Sequence, residues 1–333
     1  MASAYLNILK PRWFENFRIV GVFLFFLVGS ESFGQSENRL GYFELDQTLQ
    51  TSTGELSGTL TVPILKGTFP VALIIAGSGP TDRNGNNAQM KNNSLLLLAH
   101  ELAAQGIASI RYDKRGIGAS KDALISEENL RFENYAEDAK AWAAQLKADA
   151  RFNKLIVIGH SEGSLLGLLA CEQADVFVSL AGAGRPIDVI LKEQLAVQLK
   201  GKKKLLRAAD EGLSKLKKGE LVEDAPVELF GLFRPSVQPY MISWMKYDPA
   251  VEISKLKIPV IIIQGTTDLQ VQVKDAELLH AASPSSRYIL IEGMNHIFKL
   301  APSDREKNIE TYSNPELPLA EELLRTLLLE LRY

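Results

Sequence analysis

Cysteine is all but missing from this chain: Cys171 is the only one in 333 residues. No intramolecular disulfide is possible, and a lone cysteine in an apolar stretch reads as a small buried side chain. Histidine is nearly as scarce, with four in all, so chemistry that needs an imidazole has few places to be. There is no excess of basic charge. Lysine and arginine number 37 against 40 aspartates and glutamates, a formal net charge of −3, which argues against nucleic acid as a partner. A third glycine is missing from each of the pairs Gly77/Gly79, Gly116/Gly118 and Gly182/Gly184, so none completes a dinucleotide-binding fingerprint. The run from Asp82 to Asn86 lacks the closing acidic residue of a calcium loop. No metal and no cofactor is expected, and no internal repeat is found.

What is present starts with an export signal. Lys10, Arg12 and Arg18 precede Ile19 to Val28, an uncharged apolar run of ten residues, and small residues follow at Ser32 and Gly34. A basic start, a run too short to span a bilayer and a small-x-small exit describe a secretory signal peptide over 1–34, cleaved between Gly34 and Gln35. The alternative is an uncleaved anchor, since the basic region is long. Cleavage would leave a periplasmic or secreted protein with no stable membrane association. Removing the leader's three basic and two acidic residues changes the formal charge from −3 to −4. Hydrophobic content of 46% and charged content of 23% are those of a globular enzyme. The remaining length suits one large domain carrying an insertion.

The chain is organised around Lys154 to Ala170. Leu155 to Ile158 is a β-branched, apolar run that reads as a buried strand. Ser164 to Cys171 reads as a buried helix, and Gly159, Ser161 and Gly163 stand between them in the G-x-S-x-G pattern. Strand, tight turn and helix form the setting of a nucleophile elbow, which pushes a serine hydroxyl clear of the sheet. Ser161 is the candidate nucleophile, and the backbone N–H of Glu162, at the helix start, is a candidate oxyanion donor.

A serine needs a base, and the base needs a carboxylate to orient it. His160 lies inside the elbow, while His100 and His280 fall in helical patterns. His296 alone follows a predicted strand, Arg287 to Ile291, in a loop with Gly293, Met294 and Asn295. Asp268 lies just past the predicted strand Ile258 to Gln264. The order Ser161, Asp268, His296 is that of an α/β-hydrolase triad, each residue following a strand end. The competing carboxylates are Asp248 and Asp304, neither directly after a predicted strand.

These residues, together with Ile75 to Asn86 and the segment Arg111 to Ser120, resemble the α/β-hydrolase superfamily. Within it the chain is similar to EstD-like bacterial carboxylesterases and serine aminopeptidase-type hydrolases. The resemblance runs from about Leu56 to the C-terminus. It implies an α/β fold with a mostly parallel central sheet of about eight strands, flanked by helices and carrying a helical cap. Matching Ala76, Gly77 and Ser78 to the family's oxyanion segment places the second oxyanion donor at Ser78. It also implies that the charged residues Asp113, Lys114 and Arg115 brace the loops behind the elbow, and Asp113 and Arg115 are read as structural. Arg83 is read as a loop-holding residue. The expected activity is that of a carboxylesterase on small to medium acyl esters, through an acyl-enzyme on Ser161. A peptidase of the aminopeptidase type is the alternative; it would need an acidic group such as Glu220, Glu223 or Asp224 to hold a free amine. A catalytically inactive binding protein on the same fold is a third reading.

The other elements follow by pattern. Gly41 to Leu65 reads as a hairpin, Phe69 to Ala76, Ile107 to Tyr112 and Val176 to Leu180 as strands, and Leu95 to Gln105, capped by Ser94, as a helix. Phe132 to Leu146 and Leu319 to Leu331 carry helical apolar spacing. Residues 35–185 and 252–333 thus form the two parts of the core, and 186–251 the helical cap. In that insertion Phe230, Phe233, Met241, Trp244 and Met245 either line an acyl pocket or pack the cap against the core.

The N-terminal reading has a direct check. N-terminal sequencing of the protein exported by its native host should begin at or close to Gln35. A mature form that starts at Met1 or Ala2 would instead favour the anchor.

Overall fold

The computed structural model describes residues 39–331; the leader lies outside them. Eight strands form a single sheet in the order β1-β2-β4-β3-β5-β6-β7-β8. They are β1 (Tyr42–Thr51), β2 (Gly54–Pro63), β3 (Phe69–Ile75), β4 (Ala108–Tyr112), β5 (Phe152–His160), β6 (Val176–Leu180), β7 (Val260–Gly265) and β8 (Arg287–Ile291). β1 and β2 make the expected hairpin, turning through Ser52 and Thr53, and β2 pairs antiparallel with β4. From β4 to β8 every neighbouring pair is parallel.

Alternation along the strands divides the core. Val71, Leu73, Ile75, Leu155, Val157 and Phe177 face one side, and Ala72, Ile74, Ile156, Ile158 and Val178 the other. Both sets are buried because helices cover both faces, as a parallel sheet requires. α1 (Ser94–Ala104) covers the second face, where Leu95, Leu98 and Leu102 meet the strands. α2 (Phe132–Lys147) and α3 (Glu162–Ala170) cover the first.

Between β6 and β7 the chain is helical: α4 (Ile187–Gln198), α5 (Lys203–Lys217), α6 (Phe230–Phe233), α7 (Gln238–Trp244) and α8 (Pro249–Ser254). Leu191 and Leu195 on α4, Leu213 and Leu216 on α5, and Met241 and Trp244 on α7 join the same apolar cluster as α2 and α3. The insertion is therefore held by burial continuous with the main core. The sheet closes with α9 (Val273–Ala282) and β8, followed by α10 (Arg305–Glu310) and α11 (Glu321–Leu331). Leu323 and Leu327 of α11 pack beside α1's leucines.

One expectation needs correction. Ser94 does not cap α1. Asn93 takes the cap position at φ 53°, and the Asn92 side chain accepts the Ser94 N–H at 2.9 Å. Asparagine tolerates that left-handed backbone better than serine does. Of the residues read as either pocket lining or packing, Phe233, Met241, Trp244 and Met245 are buried in the cluster shared with the main core, as the packing reading expects, while Phe230 is 52% exposed. Trp244 stacks on Phe132 of α2, with centroids 5.4 Å apart and planes 3° from parallel.

Register decides where a site can form. Ile75 sits opposite Gly159, His160 opposite Leu180, and Gly265 opposite Ile291. The carboxyl ends of β3, β5, β6, β7 and β8 thus finish side by side, and the loops that follow them share one crevice.

Candidate active site

Ser161 leaves β5 and opens α3 at φ 56°, ψ −120°. That is a rare backbone for a residue with a Cβ, and it persists only where its surroundings over-determine it. Glycine supplies the room. A Cβ on Gly159 would lie 2.2 Å from the Gly163 carbonyl oxygen, and one on Gly163 would lie 2.2 Å from that of Ile75. α3 is pressed against β3 and β5 at distances only glycine permits. The Glu162 N–H, in the first turn of α3, has no carbonyl four residues back within the helix.

Asp268 and His296 meet. The His296 Nδ1–H donates to Asp268 Oδ2 at 2.8 Å, and both side chains are nearly fully buried. Gln264 Nε2 donates to the same oxygen at 3.0 Å, while the N–H groups of Gln270 and Val271 donate to Oδ1 at 2.7 and 3.0 Å. Burial alone would raise the Asp268 pKa, but facing His296 and these N–H bonds bring it below the ordinary carboxylate value. The carboxylate stays charged and fixes the imidazole's orientation. Asp248 and Asp304 cap α8 and α10 instead, accepting the N–H groups of Ala250 and Lys307.

His160 ties His296 to the elbow. Its Nε2–H donates to the His296 carbonyl oxygen at 2.9 Å, and the two rings lie 4.8 Å apart. Phe298, at φ 65°, sets its ring edge-on to His160 at 4.7 Å. Burial, then the neighbouring His296, lowers the His160 pKa to about 3, so it serves as a neutral donor. Among the described residues no hydrogen bond closes between the Ser161 hydroxyl and His296. Such bonds commonly tighten only when substrate binds.

The loop after β3 borders Ser161 on its other side. A Cβ on Gly77 would lie 3.1 Å from Ser161 Cβ, and Ser78, which is exposed, comes next in the chain. Arg83 holds this loop, donating to Ser57 at 2.7 Å, Thr59 at 2.9 Å and Asp113 at 2.8 Å. Asp113 also accepts the N–H groups of Arg83 and Ala119, and Arg115 pairs with buried Asp138. Asp113 and Arg115 are braces, as the family resemblance implies.

Lys114, between them, belongs to the same bracing segment, but the sequence did not reveal its partners. Its ammonium, 2% exposed, donates to the Gly77 carbonyl at 2.6 Å and to Glu162 Oε1 at 3.1 Å. The Tyr240 hydroxyl, from α7, donates to Glu162 Oε2 at 3.2 Å. One signal was available: Glu162 is a charged residue in an otherwise apolar elbow, and a buried carboxylate needs a cation. These residues line a narrow cavity of about 40 Å³ with Gly79, Tyr135 and Val237. Its rim carries the ion pair of Arg234 with Glu127. Glu220, Glu223 and Asp224 are exposed and do not line it.

Comparison with known proteins agrees with this architecture. Est1E from Butyrivibrio proteoclasticus superposes with a TM-score of 0.54 at 15% identity, covering 86% of this chain and 99% of that one. The chain has the α/β-hydrolase fold. A thermophilic esterase from Thermogutta terrifontis gives a TM-score of 0.52 at 15% identity, over 87% of this chain and 98% of that one. The family model for serine aminopeptidase, S33, matches residues 91–204. Esterase EstD of Thermotoga maritima is 29% identical over 253 residues, which is 73% of this chain. The chain spans 58% of that relative's length.

The neutral His160 has a consequence for stability. Its folded pKa, about 3, lies below the ordinary 6.5, so between those values the unfolded chain binds more protons. The stabilisation it brings is complete above about pH 6.5 and is lost as pH falls toward 3. At pH 5 the loss is about 2 kcal/mol. Thermal melts of wild type and His160→Gln from pH 7 to 4.5 should converge as pH falls. Curves that stay parallel would contradict the buried, neutral state of this ring.

Proposed function

We propose that this protein is a serine hydrolase, most specifically a carboxylesterase acting on small to medium acyl esters. The Asp268–His296 bond at 2.8 Å, beside a serine on a glycine-locked elbow, carries the reading. In this reading Ser161 attacks the ester carbonyl and His296 takes its proton, then returns it to the leaving alcohol. Asp268 holds the imidazole's tautomer and stabilises its charged form. The Ser78 and Glu162 N–H groups receive the charge that develops on the carbonyl oxygen. Water then attacks the acyl-enzyme by the same route, and no cofactor is required.

The likeness to Esterase EstD of Thermotoga maritima supports an ester as the substrate. The match to the serine aminopeptidase model supports a peptidase as the alternative. Against it, each acidic group lining the cavity is already neutralised: Glu162 by Lys114, and Glu127 by Arg234. A peptide's free amine would find no unpaired carboxylate there. Export through the leader, with cleavage after Gly34, would place the activity outside the cytoplasm on small-molecule esters.

The test is kinetic. Ser161→Ala should lower hydrolysis of p-nitrophenyl acetate by at least about 10³-fold with the melting temperature kept. Asp268→Asn should cost roughly 10⁴-fold, because the amide favours the wrong tautomer. Wild type should prefer p-nitrophenyl esters over aminoacyl arylamides. Near-wild-type turnover by Ser161→Ala would place the nucleophile elsewhere, and a preference for arylamides would favour the peptidase.

A further inference from the structure

We propose that Lys114 is a positioning residue that sets the oxyanion hole, by holding the Gly77–Ser78 peptide with the Ser78 N–H turned toward Ser161. The inference rests on the reading of Ser161 as nucleophile. In a trans peptide unit the C=O and the N–H point in opposite directions, and every described peptide bond here is trans. The Gly77 carbonyl and the Ser78 N–H belong to one such unit. Whatever holds that carbonyl therefore decides where the N–H points. Lys114 holds it at 2.6 Å, and Gly77 itself lies against Ser161, since a Cβ built on it would come within 3.1 Å of Ser161 Cβ.

Without this grip little would keep the unit in place. Gly77 has no side chain to anchor, and glycine's backbone turns readily. A reversed unit would aim the carbonyl oxygen, the negative end of the peptide dipole, at the developing oxyanion. The donor would be lost and a repulsion added. Lys114 is itself fixed from several directions. Its neighbours Asp113 and Arg115 are locked by Arg83 and Asp138. Its ammonium also reaches Glu162 Oε1 at 3.1 Å and stands 5.2 Å from the Tyr135 ring centroid. A compact ammonium with several donors suits a bridge between a carbonyl and a carboxylate.

Glu162 completes the arrangement. Its backbone N–H is the other oxyanion donor in this reading, and its carboxylate shares the Lys114 ammonium, so one cation joins both arms. Tyr240 donates to the second Glu162 oxygen, which links the helical insertion to the same network.

The experiment measures p-nitrophenyl acetate hydrolysis alongside inhibition by an aryl trifluoromethyl ketone, which forms an oxyanionic adduct on a nucleophilic serine. Lys114→Met should lower kcat by about 10² or more, the scale of one lost oxyanion donor, with KM shifted by less than about threefold. The inhibition constant should rise by the factor by which kcat/KM falls. Should Lys114→Met fail to fold because Glu162 is left as a lone buried charge, the double variant Lys114→Met/Glu162→Gln removes that charge and should show the same loss of kcat. Folded variants with wild-type kcat, or with reduced kcat but an unchanged inhibition constant, would overturn the proposal. If Ser161→Ala kept full activity, the nucleophile reading itself would fall and take this one with it. Ser161→Ala dead and Lys114→Met unimpaired would overturn the positioning role alone.

Discussion

The close approach of α3 to β3 is the constraint on which the site depends. A Cβ on Gly163 would stand 2.2 Å from the Ile75 carbonyl oxygen and 2.7 Å from that of Ala76. No other residue type allows that contact. Because of it, the helix start, the loop after β3 and the turn at Ser161 occupy one small volume, and Ser161 must take up φ 56° to connect strand to helix. A serine held in this strained backbone is fixed in direction by the packing of α3 on β3. The aligned carboxyl ends of β7 and β8 then deliver Asp268 and His296 to the same rim.

Around this steric centre the loops are held by charge. Asp113, Lys114 and Arg115 follow one another after β4, and each pairs with a different partner: Arg83, Glu162 and Asp138. On the strand before them, Arg111 reaches Glu44 at 2.7 Å. The three pairs after β4 are buried; such pairs add little net stability, because desolvation offsets their attraction, but removing one partner costs about 3–5 kcal/mol. Their contribution is specificity of arrangement. The pairs fix the loop after β3, the turn after β4 and the elbow relative to one another, and those three segments bound the cavity.

The framework was legible because its signals are local. A β-branched run before the glycines around Ser161, an aspartate just past an apolar strand, and a lone suitable histidine need no knowledge of distant contacts. Strand and helix positions followed from period alone to within a few residues, as with Val176–Leu180 and Arg287–Ile291. What stayed hidden depends on long-range placement. Lys114 and Glu162 are 48 positions apart, and Tyr240 and Glu162 are 78 apart; no local pattern marks such a pairing. The aromatic and methionine side chains of the insertion carried two readings, and burial separated them, because Phe233, Met241 and Trp244 face the core rather than the crevice. The cap of α1 was misplaced by one residue since serine and asparagine are both good cap residues, and backbone sign, not composition, chose Asn93.

In the proposed mechanism Ser161 is the one serine made nucleophilic by this architecture. Incubating the wild-type protein with a fluorophosphonate and mapping the adduct by mass spectrometry tests it most directly. The account predicts a single phosphonylated residue, Ser161, formed together with loss of ester hydrolysis. Folded protein that takes up no label, or carries it on another serine while hydrolysis stops, would contradict it.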